Sequence, residues 1–172
     1  MLPGTSTVYT IDYTSGSVFR ATKNTLKNRY LFDANSTEVQ EFTLERDGVL
    51  VYSLTHDAAM QWTITQPIQW QGYTSNINDM LDTFVRATAT AYVDENPGDL
   101  SRYGLDQPSY RIYARTDTKA ITVLLGKMVS DAEDEISIYG MIEESGQVFY
   151  MTKAALNFLD DDLLSVAYPY VY

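Results

Sequence analysis

The chain has 172 residues, 23 acidic side chains against 12 Lys and Arg, a formal charge of −11, and no cysteine. That length builds one core without covalent staples, and the charge balance repels nucleic-acid phosphates and anionic headgroups, so no nucleic acid is expected as a partner. The missing cysteine removes thiol nucleophiles, thiolate metal sites and disulfides together.

No run approaches the roughly 18 apolar residues of a membrane span, and the opening MLPGTSTVYT lacks the basic and apolar regions of a signal peptide. From Thr7 the chain is rich in β-branched and aromatic residues; SG at 15–16 marks a turn, and Ser17 to Ala21 resumes the extended pattern. Thr22 is placed to cap a helix over KNTLKNRYLF, with Leu26 and Tyr30 on one face, ended by DANS at 33–36. Val39 to Arg46 alternates, with Phe42 and Leu44 on its apolar face. DG at 47–48 predicts a two-residue hairpin turn into a return strand at Val49 to Thr55. A third strand, Gln61 to Gln66, carries Trp62 and Ile64 on one face and stops at Pro67.

Ile77, Met80, Leu81, Phe84 and Val85 form a helical apolar stripe, which predicts a helix over 75–87 capped by Thr74 or Ser75. TATAYV at 88–93 reads as a strand broken by ENPGD. Further strands are expected at Ser109 to Arg115, Ala120 to Leu125, Ile136 to Ile142 and Gln147 to Met151, then a helix KAALNFL capped by Thr152 and a closing strand at 163–168. Segregated strands and helices of this kind predict an α+β fold, antiparallel sheets with helices packed on them, made of strand–strand–strand–helix units.

Segment 9–26 aligns without gaps on 139–156, sharing Tyr9/Tyr139, Ser15/Ser145, Gly16/Gly146, Val18/Val148, Phe19/Phe149, Thr22/Thr152, Lys23/Lys153 and Leu26/Leu156. The match reads as an internal repeat. It divides the chain into 1–36, a strand–turn–strand–helix segment ending a preceding copy, and 37–172, the main α+β domain.

The stretch DLSRYGLDQP, 99–108, has the chemistry of a structural corner. Asp99 can cap a short turn of helix. Gly104 supplies the left-handed conformation that ends it. Leu100 and Leu105 can tuck into the core, and Pro108 aims the chain into the next strand. This stretch, with WTITQP before it (Trp62, Pro67), LLG after it (Gly126) and QVFYMTKAAL at 147–156, resembles a bacterial family, domain of unknown function 4340. The six positions Asp99, Leu100, Tyr103, Gly104, Leu105 and Pro108 carry the resemblance. It implies an extracytoplasmic protein, membrane-anchored through an N-terminal helix, with some members accompanying ABC-type transporters of the gliding-motility kind. It brings no activity, cofactor or catalytic residue with it.

Candidate chemistry is thin. His56, the only histidine, is followed by Asp57, but adjacent strand residues face opposite ways, so a solvated hairpin-end histidine is expected. Asp131, Glu133, Asp134 and Glu135 offer hard oxygens for Ca²⁺, yet the EF-hand glycine and distal glutamate are missing, and a solvated acidic loop is the reading. No pair of carboxylates is singled out for hydrolysis, and no nucleophile elbow or phosphate loop occurs. Neither a metal nor a cofactor is expected, nor an enzyme. The oddity is the aromatic load, 14 Tyr, 6 Phe and 2 Trp. Trp70 and Tyr73, in IQWQGYT after Pro67, are the candidate binding residues, because their rings combine flat faces with polar tips.

The expectation is a non-catalytic extracytoplasmic interaction or scaffold domain with protein partners in the cell envelope, accessory to a transport or envelope assembly. The alternative is a carbohydrate- or peptidoglycan-binding module that uses Trp70 and Tyr73.

Overall fold

The computed structural model describes residues 29–130 and 135–170. Its strands are β1 (Glu41–Arg46), β2 (Val49–His56), β3 (Trp62–Gln66), β4 (Trp70–Gln71), β5 (Ala91–Asp94), β6 (Tyr110–Arg115), β7 (Ala120–Ser130), β8 (Ile136–Ile142) and β9 (Gln147–Thr152). Two α-helices, α1 (Thr74–Arg86) and α2 (Leu163–Val166), and short 3-10 stretches complete it. All nine strands form one sheet in the order β4-β3-β2-β1-β6-β7-β8-β9-β5, and every pairing is antiparallel. The α+β expectation therefore holds, with one continuous sheet where several were expected.

The topology is two meanders walking outward from a shared centre. β1 to β4 step one way, β6 to β9 the other, and β1 pairs with β6 from Glu41↔Arg115 to Arg46↔Tyr110. α1 leaves β4 at one edge and delivers the chain to β5 at the opposite edge. Its stripe, Ile77, Met80, Leu81 and Phe84, is buried. Phe42, fully buried on β1, ties the layers together: its ring lies 5.4 Å from Phe84, 5.9 Å from Phe158 and 6.5 Å from Tyr52. Leu31 and Phe32 join the same core.

The β1–β2 hairpin turns at Asp47 and Gly48, both at positive φ, as DG chemistry dictates. Other details depart from the local pattern. Residues 29–32 are not helical; Tyr30 instead bridges Thr88, and Leu31 N–H donates to Ala87 O at 3.0 Å. Neither Thr74 nor Ser75 caps α1, whose N-cap is Tyr73 without a side-chain bond. The strand expected at 88–93 is confined to Ala91–Asp94. The helix expected after Thr152 is a 3-10 stretch, Lys153–Asp160, broken at Leu156 (φ −124°, ψ 67°). Thr152 is its N-cap residue, as expected, but makes no side-chain capping bond; its hydroxyl donates to Glu135 Oε1 at 2.9 Å.

The strand expected at 163–168 begins as helix α2, because Asp162 accepts from Leu164 N–H and starts a turn. The first copy of the repeat and most of segment 1–36 lie outside the described residues, as do residues 131–134 of the acidic loop. No described helix is long and apolar enough to cross a membrane.

Candidate functional site

The corner at 99–108 forms as its residues dictate. Asp99 accepts from Ser101 N–H at 2.9 Å and from its hydroxyl at 2.6 Å, capping a 3-10 turn over Leu100–Tyr103. The Ser101 bonds hold the Asp99 carboxyl below its ordinary value. Gly104 ends the turn at φ 66°, and Leu105 N–H closes back on Leu100 O at 3.0 Å. Leu105 then buries itself with Leu124, Met141 and Val148 in a second, smaller core flanked by Leu100, Tyr103 and Tyr139. Tyr103 donates to Asp94 Oδ2 at 3.0 Å, fastening the corner to β5.

Gly126 explains why LLG accompanies this corner. A Cβ there would meet Tyr103 O at 2.4 Å and Gly104 O at 2.5 Å, so β7 lies directly against the corner's backbone. Two motifs far apart in sequence are thus one contact. Trp62, the other aromatic of the signature, is buried; its indole N–H donates to Asn78 Oδ1 at 3.3 Å. Pro67 follows a cis peptide bond at the exposed end of β3, and Pro108 is half-buried just before β6.

His56 corrects the solvated reading. Its ring packs 4.9 Å from Trp62, Nδ1 donates to Asp57 O at 2.8 Å, and the buried Nε2 has no partner among the described residues. Asp57 meanwhile accepts from Ala59 and Gln61 N–H, at 2.9 and 3.0 Å, and does not orient the imidazole. Among the described residues no three metal-ligating side chains of His, Asp or Glu converge.

A charged cluster occupies the end of the sheet under Lys153–Asp160. Tyr110 donates to Asp160 Oδ1 at 2.6 Å, and the Lys153 ammonium bonds its other oxygen. Arg46, at the end of the β1 core face, donates to Leu159 O at 2.7 Å and Asp161 O at 2.5 Å. This cluster clamps the 3-10 stretch to the sheet. The bond from Lys153, then that from Tyr110, holds the Asp160 carboxyl below its ordinary value of 3.8. A depressed carboxyl contributes stability that is fully present above its unfolded value and is lost as pH falls through its folded value. Asp160→Asn is expected to cost about 1 kcal/mol at neutral pH, discounted for its exposure. The difference should vanish in urea titrations run below the carboxylate range; an equal difference at every pH would show that the clamp is not ionic.

Trp70 and Tyr73 both pack on the segment after α2, with partners the local pattern did not pair them with. Trp70 is on the two-residue edge strand β4, where a loop was expected. Its indole N–H donates to Tyr168 O at 3.2 Å, and its ring meets Tyr170 edge-on at 5.1 Å. Tyr73 meets Tyr168 edge-on at 5.7 Å, and Tyr168 meets Tyr170 at the same distance. The chain after α2 runs along β4: Tyr168 N–H donates to Gln71 O at 2.9 Å, and Tyr170 OH donates to Gln71 Oε1 at 2.9 Å. Trp70, Tyr168 and Tyr170 are exposed, Tyr73 half-buried. Ile68, 51% exposed, lies two residues before Trp70, and Leu164, 77% exposed, lies four residues before Tyr168. The alternating aromatics of YPYVY were the available signal for Tyr168 and Tyr170.

The family model described as Domain of unknown function (DUF4340) matches residues 62–168, from buried Trp62 through the corner to the aromatic segment. The chain belongs to this family. No curated protein matches it, and no solved structure does. Within the DUF4340 match, the signature residues Trp62, Asp99, Gly104, Leu105 and Gly126 are engaged in packing, capping and close backbone approach.

Proposed function

We propose that this chain is a non-catalytic interaction domain of the bacterial cell envelope, presented outside the cytoplasm by a membrane-tethered parent, and that it docks a protein partner through the aromatic edge at β4. The observation that carries this reading is the exposed group of mutually packed rings Trp70, Tyr168 and Tyr170. Aromatic anchors of this kind dominate protein interfaces because they bury large area with few rotors. The indole N–H is already satisfied by Tyr168 O, so Trp70 offers area rather than a free hydrogen bond. Service to a transport or envelope assembly is the context that the family resemblance suggests.

A carbohydrate module is the second reading, supported by the exposure of the Trp70 indole; flat aromatic faces suit pyranose rings. One experiment separates the two. A photo-crosslinking residue at Gln69, tested in the native host, is expected to form a discrete protein adduct that Trp70→Ala abolishes. Trp70→Ala should cost only about 1 kcal/mol of stability, the worth of its aromatic pairing. Absence of any adduct, together with saturable quenching of Trp fluorescence by peptidoglycan fragments, would replace the first reading by the second.

A further inference from the structure

A cleft of about 210 Å³ opens between α1, the Lys153–Asp160 stretch and α2. Its floor is apolar: Met80, Phe158 and Val166, all buried. Its rim is polar, and the hydrogen-bond inventory of that rim is one-sided. Thr83 spends its hydroxyl hydrogen on Asp79 O at 2.9 Å. Ser165 spends its own on Asp162 O at 2.8 Å. Asn76 gives one of its two amide hydrogens to Ser165 O at 2.9 Å. The carboxylates of Asp79 and Asp161 are acceptors only. Against these two carboxylates, the rim's uncommitted donors are the second N–H of Asn76 and the amide of Asn157.

No Lys or Arg lines the cleft. Lys153 is paired with Asp160, and Arg46 directs its guanidinium to the carbonyls of Leu159 and Asp161 without entering the cleft lining. What the rim lacks is therefore a positively charged group with several N–H donors. What the floor can cover is a hydrocarbon stem.

We propose that this cleft receives a lysine side chain of the protein partner, its alkyl stem over Met80, Phe158 and Val166 and its ammonium between Asp79 and Asp161. Lysine fits because it joins an apolar stem to a compact charge carrying three hydrogens. The cleft adjoins the aromatic edge: Tyr73 N–H donates to Val166 O at 2.7 Å, three residues before Asn76. A partner covering Trp70 and Tyr168 thus reaches the cleft with the next side chain. The proposal rests on the interaction-domain reading for the source of the lysine, and the cleft is testable without it.

The test is a titration of the full chain with acetyl-Gly-Lys-Gly-amide, followed in ¹H–¹⁵N spectra. Saturable shifts are expected at the side-chain amides of Asn76 and Asn157 and the backbone of Asp79 and Asp161, with a dissociation constant on the order of 1 mM. Acetylating the lysine, or combining Asp79→Asn with Asp161→Asn, should weaken binding about tenfold. Both aspartates are exposed, so the variants should keep the parent spectrum elsewhere. Equal binding of the acetylated peptide, unchanged binding by the double variant, or no shifts at all would overturn the proposal. So would glucosamine saturating the same signals more tightly than the peptide. Trp70→Ala should bind the peptide normally, so loss of partner adducts with intact peptide binding faults only the aromatic edge.

Discussion

Replacing Gly126 by alanine is expected to destabilise the chain by about 3 kcal/mol, the upper range for forcing atoms into a packed site. The new Cβ would lie 2.4 Å from Tyr103 O and 2.5 Å from Gly104 O, and both obstacles are backbone. A flexible side chain could swing away; a capped turn cannot without giving up its bonds. Yielding means lifting the corner, which carries Leu105 out of its contact with Leu124, Met141 and Val148. Gly98→Ala is the control, since nothing lies within 4 Å of its Cβ position; it should stay within about 0.5 kcal/mol of the parent. Urea unfolding measures both. Equal midpoints for Gly126→Ala and the parent would mean that the corner rides free of β7.

Phe42→Ala is expected to cost about 4 kcal/mol, from lost transfer energy and from the cavity left behind. The ring is fully buried and touches three others, on β2, α1 and the 3-10 stretch. Those neighbours belong to different elements and cannot all collapse into one void. Phe42→Leu should recover about half of the loss, because it restores most of the volume without the edge-to-face contacts. A cost for the alanine variant near that of an exposed position would show that the sheet and α1 do not share one core.

Features governed by neighbouring residues were legible in the sequence. Asp47 and Gly48 announce their turn because the φ values it needs are residue properties, and the corner at 99–108 could be read residue by residue for the same reason. The stripe of α1 needs only a period. Where distant atoms decide, the sequence was silent. One local signal was also missed: Leu163 to Val166 is a short apolar run that suits strand or helix equally, and the Asp162 cap just before it settles the choice. The stretch after Thr152 is 3-10 and breaks at Leu156, and its far end is held by distant groups: Tyr110 and Lys153 on Asp160, and Arg46 on the carbonyls of Leu159 and Asp161. Trp70 could be picked out, but its partners Tyr168 and Tyr170 lie almost a hundred positions on. The cleft was invisible, since what marks it is hydrogens already spent on backbone carbonyls.

The passage of α1 from one rim of the sheet to the other sets an order of assembly. Local hairpins can zip early, whereas joining the halves must bring Glu41 to Arg115, 74 positions away, at the entropic cost that makes non-local pairings slow. Phe84 of the helix packs on Phe42 of the central strand β1, so its seat is expected to be complete only once β1 is paired on both sides. Throughout that delay Ile77, Met80, Leu81 and Phe84 face water, and a nascent chain is at its stickiest along the very segment that finally locks it shut.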